Sequence, residues 1–228
     1  MPRLAPLFAA ALLPRRCACC SAPLTPHERD WCGPCAFDWT RCSNMRTDRF
    51  SGRLNWAFEW SWLQNGPRRM ESALVHRMKY GGLSNLGVHI GEAMAAECPA
   101  FPRGSLDKWA MIPIPLHHKK QRKRGFNQSH MLAKGWGNAR KMPIEHALVR
   151  PTSGRSLTQL GKSQRLMETE GLYHPAPKLP DGWASALHGC VLIDDVITTG
   201  ATLEAAYSAI RLLWKGPLGY ATVLDSNQ

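Results

Sequence analysis

Val191-Leu192-Ile193-Asp194-Asp195-Val196-Ile197-Thr198-Thr199-Gly200-Ala201-Thr202 joins an apolar run to two adjacent acids and then to a short polar turn. The run reads as a buried strand, and the turn opens a helix from about Ala201 to Trp214. In open α/β sheets ligands sit outside the carboxyl ends of the strands, where Asp194 and Asp195 fall. The N-terminus of the following helix exposes backbone N–H groups and the positive end of its dipole, which favour an anion. Thr198, Thr199 and Thr202 add hydroxyl donors, and Gly200 followed by Ala201 lets the backbone turn close to a ligand. Carboxylates suit vicinal hydroxyls rather than phosphate. The stretch therefore predicts a pocket for a sugar carrying a 5-phosphate, with Asp194 and Asp195 on ribose hydroxyls. The plainer alternative, a strand ended by a solvated Asp-Asp turn and a Thr cap, requires twelve ordered positions to coincide by chance.

Outward from this stretch, strands and helices alternate. Leu54 to Trp62 carries large apolar residues at every second place and predicts a half-buried strand. Asn65-Gly66-Pro67 is a turn, after which Met70, Ala73, Leu74 and Met78 recur at helical spacing. Tyr80-Gly81-Gly82 breaks that helix. Ser84 or Asn85 caps the next, which carries Leu86, Ile90, Ala93 and Met94. Trp109 to Ile114 reads as a strand ended by Pro113 and Pro115, His117 to Gly125 as a basic loop, and Asn127 to Trp136 as a helix. His146 to Val149 predicts a short strand, Ser163 to Thr169 a short helix, and Gly219 to Leu224 a last strand. The fold class this implies is α/β, a mostly parallel sheet flanked by helices.

The chain has 228 residues, 44% hydrophobic and 20% charged, enough for one core domain with a small appendage. The net charge of +12 favours polyanionic partners, whether phosphorylated substrates, nucleic acid or an anionic membrane face approached peripherally. Lys119, Lys120, Arg122, Lys123 and Arg124 place five positive charges in six residues, followed by Gly125-Phe126-Asn127-Gln128. Such a run is usually only a solvated segment, but beside the predicted site it could clamp a dense phosphate group or contact a nucleic-acid backbone, with Phe126 available to stack on bases. Gly161-Lys162-Ser163 lacks the upstream glycine of a Walker A loop, since position 156 is Ser156, and an ATPase is excluded. Leu4 to Leu13 is apolar but too short to span a bilayer, is interrupted by Pro6, and precedes a poor cleavage site at Arg15-Arg16-Cys17. The expected location is cytoplasmic, with no transmembrane segment.

Six of the eight cysteines lie between Cys17 and Cys42. Cys17-Ala18-Cys19-Cys20 and Cys32-Gly33-Pro34-Cys35 each hold a C-x₂-C pair, with eleven residues between them. Two such pairs predict a closed, structural tetrahedral Zn²⁺ site on Cys17, Cys20, Cys32 and Cys35, the alternative being reduced structural thiols or a redox dithiol. Cys19 and His27 are spare candidates, Cys42 reads as the remnant of a third pair, and Cys98 and Cys190 as small core residues. The expected division is a zinc module over 1–50 and a larger domain over 51–228.

The chain resembles the ComF family of competence-associated, phosphoribosyltransferase-like proteins, from about Cys17 to the C-terminus. The resemblance rests on Asp194 to Thr202, Met78-Lys79-Tyr80-Gly81-Gly82, Ile112-Pro113-Ile114-Pro115, Arg124-Gly125-Phe126-Asn127-Gln128 and the cysteine pairs. It implies a type I phosphoribosyltransferase fold that binds 5-phosphoribosyl 1-pyrophosphate (PRPP) with Mg²⁺, and hence a glycosyltransferase with an unidentified acceptor. Lys79, Tyr80 and Gly81 would meet pyrophosphate through a lysine and free backbone donors. His117 to Gln128 would be a mobile loop over the site. Asp194 and Asp195 would hold the ribose, Thr198 to Thr202 the 5-phosphate, and Lys79 and Arg124 would assist the leaving group. The family also implies a role in natural transformation and DNA uptake. The alternatives are a single-stranded DNA-binding factor working with the uptake machinery, or a PRPP-sensing regulator without catalysis. Gln159 and Arg165 fit the family's acceptor-side pattern, whereas Glu168 and Leu172-Tyr173 depart from it.

Overall fold

A computed structural model describes residues 15–41, 50, 54–98, 108–151, 171–179 and 182–226. The expectations for Leu4 to Leu13, Cys42, Ser163 to Thr169, Gln159, Arg165 and Glu168 lie outside the described residues. In chain order the elements are α1 (Gly33–Asp38), β1 (Phe58–Gln64), α2 (Met70–Tyr80), α3 (Ser84–Glu97), β2 (Trp109–Pro113), α4 (His118–Arg124) and α5 (Gln128–Arg140). They continue with β3 (Leu148–Val149), β4 (His174–Pro175), α6 (Trp183–Ala186), β5 (Gly189–Ile197), α7 (Ala201–Ile210) and β6 (Leu218–Asp225).

The central sheet has the order β1-β6-β5-β2, and every pair in it is parallel. Along each strand the side chains alternate between two cores. Met111, Val191, Ile193, Ala221 and Val223 face α2, α3 and α5. Ile112, Cys190, Leu192, Leu218 and Tyr220 face α7, Trp183 and Trp214. A sheet covered on both faces needs continuous apolar strands, which is how β2, β5 and β6 read.

β1 departs from the expected half-buried strand. It begins at Phe58 rather than Leu54, and its polar alternates Glu59 and Ser61 are buried as well. They are satisfied in the interior: Tyr220 Oη donates to Glu59 Oε2 at 3.3 Å, and the Ser61 and Thr222 hydroxyls lie 2.7 Å apart. Alternation in the sequence therefore marks buried hydrogen bonds here, not a wet face.

The stretch expected to be a basic loop is mostly helix α4. The His117 imidazole accepts the Lys119 N–H at 3.2 Å, capping its start, and Gly125 ends it in the left-handed conformation with φ 80°. Lys, Arg and Gln are good helix formers, and Arg122, Lys123 and Arg124 in the last turn complement the dipole. Two further edges differ from the sequence reading. α5 extends to Arg140, and α7 stops at Ile210 rather than reaching Trp214.

Candidate functional site

β2 leads towards α5 on one face of the sheet, and β5 leads into α7 on the other. Where neighbouring strands send their chains to opposite faces, a crevice opens at their carboxyl ends. A cleft of about 290 Å³ lies there, lined by residues that include Lys79, Lys120, Arg124, Asn127, Asp194 and Asp195. Thr198 and Thr202, at the turn into α7, line it too. Thr199, Gly200 and Ala201 belong to the same turn without lining the cleft. Gly200 has φ 86°, the conformation that favours glycine.

The two acids differ in environment. Lys79 Nζ lies 3.1 Å from Asp195 Oδ2, a half-buried ion pair. Asp194 Oδ1 accepts the Ser129 hydroxyl at 3.0 Å and the Asp195 N–H at 2.9 Å. Burial, and then the neighbouring Asp195 charge, push the Asp194 carboxyl up to about 7. Near neutral pH the Asp194 carboxyl is therefore partly protonated.

Lys79 and Tyr80 form the last turn of α2 instead of a loop, and Gly81 closes the helix by donating its N–H to the Arg77 carbonyl at 2.7 Å. The backbone donor expected to be free at Gly81 is thus used within the helix. Across the cleft, Arg124 donates from Nη2 to Tyr80 Oη at 3.2 Å and from Nη1 to Gln128 Oε1 at 2.8 Å. Its guanidinium lies 4.9 Å from the Tyr80 ring centre. This hydrogen bond and the Arg124 charge hold the Tyr80 hydroxyl below its usual range. Asn127 caps α5 by accepting the Ser129 N–H at 3.1 Å, while its Nδ2 donates to the Ile114 carbonyl at 3.0 Å. That bond ties the start of α5 to the end of β2. Of the remaining basic-run residues, Lys119, Arg122, Lys123 and Gly125 are exposed, Phe126 is half-buried, and none of them lines the cleft.

Leu116, Ser129 and Arg150 line the cleft without having been singled out from sequence, and Tyr173, noted there only as a departure from the family's acceptor-side pattern, lines it as well. Ser129 sits one position beyond the Arg-Gly-Phe-Asn-Gln run, and its place on the first turn of α5 was the available signal. Arg150 and Tyr173 come together only through the pairing of β3 with β4, and no local pattern announces that they meet.

The chain is 33% identical over 108 residues to competence protein ComFC of Bacillus subtilis, a stretch covering 47% of this chain and 40% of that protein. It is 30% identical over 108 residues to competence protein F of Haemophilus influenzae, covering 46% and 44% respectively. The sequence is thus similar over about half its length to two competence proteins. The similarity spans less than half the length of either relative. No family model matches the chain. A solved structure described as the allosteric regulatory enzyme of purine biosynthesis matches with a TM-score of 0.39 and 16% identity, covering 62% of this chain and 26% of that one, a likeness too low to carry an argument.

The fold brings the four predicted thiols together. The Sγ atoms of Cys17, Cys20, Cys32 and Cys35 all lie within 4.8 Å of one another, and those of Cys20 and Cys32 are 3.7 Å apart. Thiolates around a tetrahedral Zn²⁺ would sit about 3.8 Å apart, so the donor set fits a metal ion of that type. The backbone N–H groups of Cys19 and Cys32 donate to Cys17 Sγ at 3.3 and 3.4 Å. Burial acts to raise the Cys17 thiol, but N–H donation from Cys20, Cys32 and Cys19 outweighs it and brings the group down to about 6. The spare candidates stand outside this group, His27 being exposed and Cys19 half-buried. Cys98 and Cys190 are buried among apolar side chains. No helix among the described residues is long and apolar enough to cross a membrane.

Proposed function

We propose that this chain is a competence-associated, phosphoribosyltransferase-like protein whose cleft binds PRPP with Mg²⁺. The observation that carries the reading is one cleft joining the Asp194–Asp195 pair, Lys79 at 3.1 Å from Asp195, and Thr198 and Thr202 at the start of α7. The 5-phosphate would take the α7 N-terminus and the threonine hydroxyls. Asp194 and Asp195 would accept hydrogen bonds from the ribose hydroxyls, and Lys79 and Arg124 would leave Asp195 and Tyr80 for the pyrophosphate. Mg²⁺ bound with PRPP would shield the pyrophosphate charge. In transfer, a lone pair of the acceptor forms a bond to C1 while the C1–O bond breaks and its electron pair departs with pyrophosphate; the acceptor's proton passes to solvent. The chain's contribution is positioning and electrostatic stabilisation of the leaving group. Calorimetric titration of PRPP with Mg²⁺ is expected to give binding to the wild type and none to the Asp194→Asn, Asp195→Asn double variant. Silence with the wild type, or equal affinity in the variant, removes the reading. PRPP binding without turnover of any acceptor would identify a sensor rather than an enzyme.

The cysteine cluster would hold a structural Zn²⁺ that supplies folding energy to the first fifty residues, ahead of a phosphoribosyltransferase-like domain over 51–228. Thiolates kept reduced for metal suit the cytoplasm.

A second reading is favoured by one feature of α4: Lys119, Arg122 and Lys123 are exposed while Arg124 turns to the cleft. The outward residues would bind the phosphates of single-stranded DNA during uptake. Replacing those three by Ser should lower single-strand affinity and flatten its dependence on log salt by roughly 0.7 for each phosphate that is no longer neutralised. An unchanged slope excludes this surface.

A further inference from the structure

The β3–β4 ribbon has only two residues in each strand, and its pairing aligns Leu148 with Pro175 and Val149 with His174. One step further along that register stand Arg150 and Tyr173. Both line the cleft that contains the Asp194–Asp195 pair. The Arg150 guanidinium lies 5.7 Å from the Tyr173 ring centre. Tyr173 itself is buried. A planar cation laid on a buried ring is held in one orientation, with its remaining N–H donors directed elsewhere.

The charges around this pair are unbalanced. Lys79 is matched by Asp195, and Arg124 is engaged by Tyr80 and Gln128. Arg150 makes no ion pair with a carboxylate among the described residues. Its charge reaches both His117 and Lys120, each held below its usual range first by burial and then by neighbouring positive charges that include Arg150. The Tyr173 hydroxyl is raised by burial, and Asp194 acts on it more strongly than Asp195 does. The Arg150–Tyr173 pair shares one cleft lining with Asp194, Asp195 and Lys79.

We infer that Arg150, fixed by Tyr173, is a specificity residue that binds an anionic oxyacid group, carboxylate or phosphate, on the acceptor. This rests on the proposed binding of PRPP. There the α7 turn takes the 5-phosphate, Lys79 and Arg124 the pyrophosphate, and the two acids the ribose, so the donor leaves no anionic group for Arg150. A half-buried guanidinium with unused donors matches the two oxygens of a carboxylate or phosphate in one plane. Lysine, a point charge, lacks that fork.

The test titrates wild type, Arg150→Ala and Arg150→Lys. PRPP with Mg²⁺ comes first and is expected to bind all three within about twofold, since Arg150 would not touch the donor. Nicotinate, orotate and inorganic phosphate are then added as anionic probes, with nicotinamide as the neutral control, to free and PRPP-saturated protein. At least one anionic probe should bind the wild type while nicotinamide does not. Arg150→Ala should weaken that probe by about tenfold or more, with Arg150→Lys recovering only part. The carboxylate and phosphate probes decide between the two oxyacids. Equal probe affinity in Arg150→Ala, no anionic probe bound by the wild type, or a tenfold loss of PRPP affinity in Arg150→Ala overturns the assignment; the last would make Arg150 a donor-binding residue. Wild-type protein that takes no PRPP defeats the donor reading instead, and the titrations of free protein still decide Arg150.

Discussion

Asp194 is the residue on which the site's chemistry turns. Its carboxyl is pushed up to about 7 by burial and by Asp195, so in the folded protein it keeps a proton that an unfolded Asp loses near pH 4. Between those values the native state binds more protons than the unfolded one, and stability falls as pH rises from about 4 to 7, then levels off. Asp194→Asn removes that cost. The variant should melt a few degrees above wild type at pH 8 and show little gain at pH 4, measured by thermal denaturation across pH. An advantage that is the same at both pH values would show that Asp194 is not the titrating group. The gain in stability would accompany a loss in PRPP affinity, as expected where a strained group serves binding. The Asp-Asp pair was legible from its place at the end of an apolar strand. Its asymmetry was not, because Lys79 and Ser129 lie far away in sequence and each reaches a different member of the pair.

At the scale of elements, the site depends on how closely α3 and α5 approach. A Cβ on Gly91 would stand 2.1 Å from the Leu132 carbonyl oxygen, and one on Gly135 would stand 1.9 Å from that of Val88. These approaches are to backbone, which cannot swing away. Gly91→Ala should force the helices apart and cost about 1–3 kcal/mol or more, read from denaturant unfolding. α5 carries Ser129 and is capped by Asn127, so the same variant should also weaken PRPP binding. A variant as stable as wild type would mean that the pair can slide at no cost. The sequence shows two helices of suitable spacing, but Gly91 and Gly135 look like ordinary weak points in each. Their meaning exists only when the helices are set face to face. α4 shows the converse: six strongly polar positions without apolar periodicity read as loop, although capping by His117 and Gly125 is enough to make a short surface helix.

Across the whole molecule, the cysteine-rich segment is fastened to the sheet domain. Trp31 and Trp39 pack on Trp62 of β1, with ring centres 6.3 and 5.3 Å away. Arg41 lies over Trp39 and Trp62 and pairs with Glu97 at 2.7 Å. Asp30 meets His89, Arg29 meets Glu92, and Arg77 of α2 donates to Ser21 beside the cysteine cluster. Loss of the metal should therefore be felt beyond the cysteines. We expect about one Zn²⁺ per chain by mass spectrometry. Chelation, or Cys20→Ser, should shift tryptophan emission as Trp31 and Trp39 leave Trp62, and lower the melting temperature. Metal-free protein with unchanged emission would show that packing alone holds the segment.

The sequence by itself determined the succession of strands and helices, the acids and threonines at the end of one strand, and the two thiol pairs. Each of these follows from local periodicity or short spacing, which a chain carries before it folds. Only the tertiary structure decided which strands are neighbours, that Lys79 answers Asp195 while Ser129 answers Asp194, and that Arg150 and Tyr173 meet beside them. Those facts depend on burial and on the meeting of distant positions, and both arise only when the sheet closes between its two layers of helices.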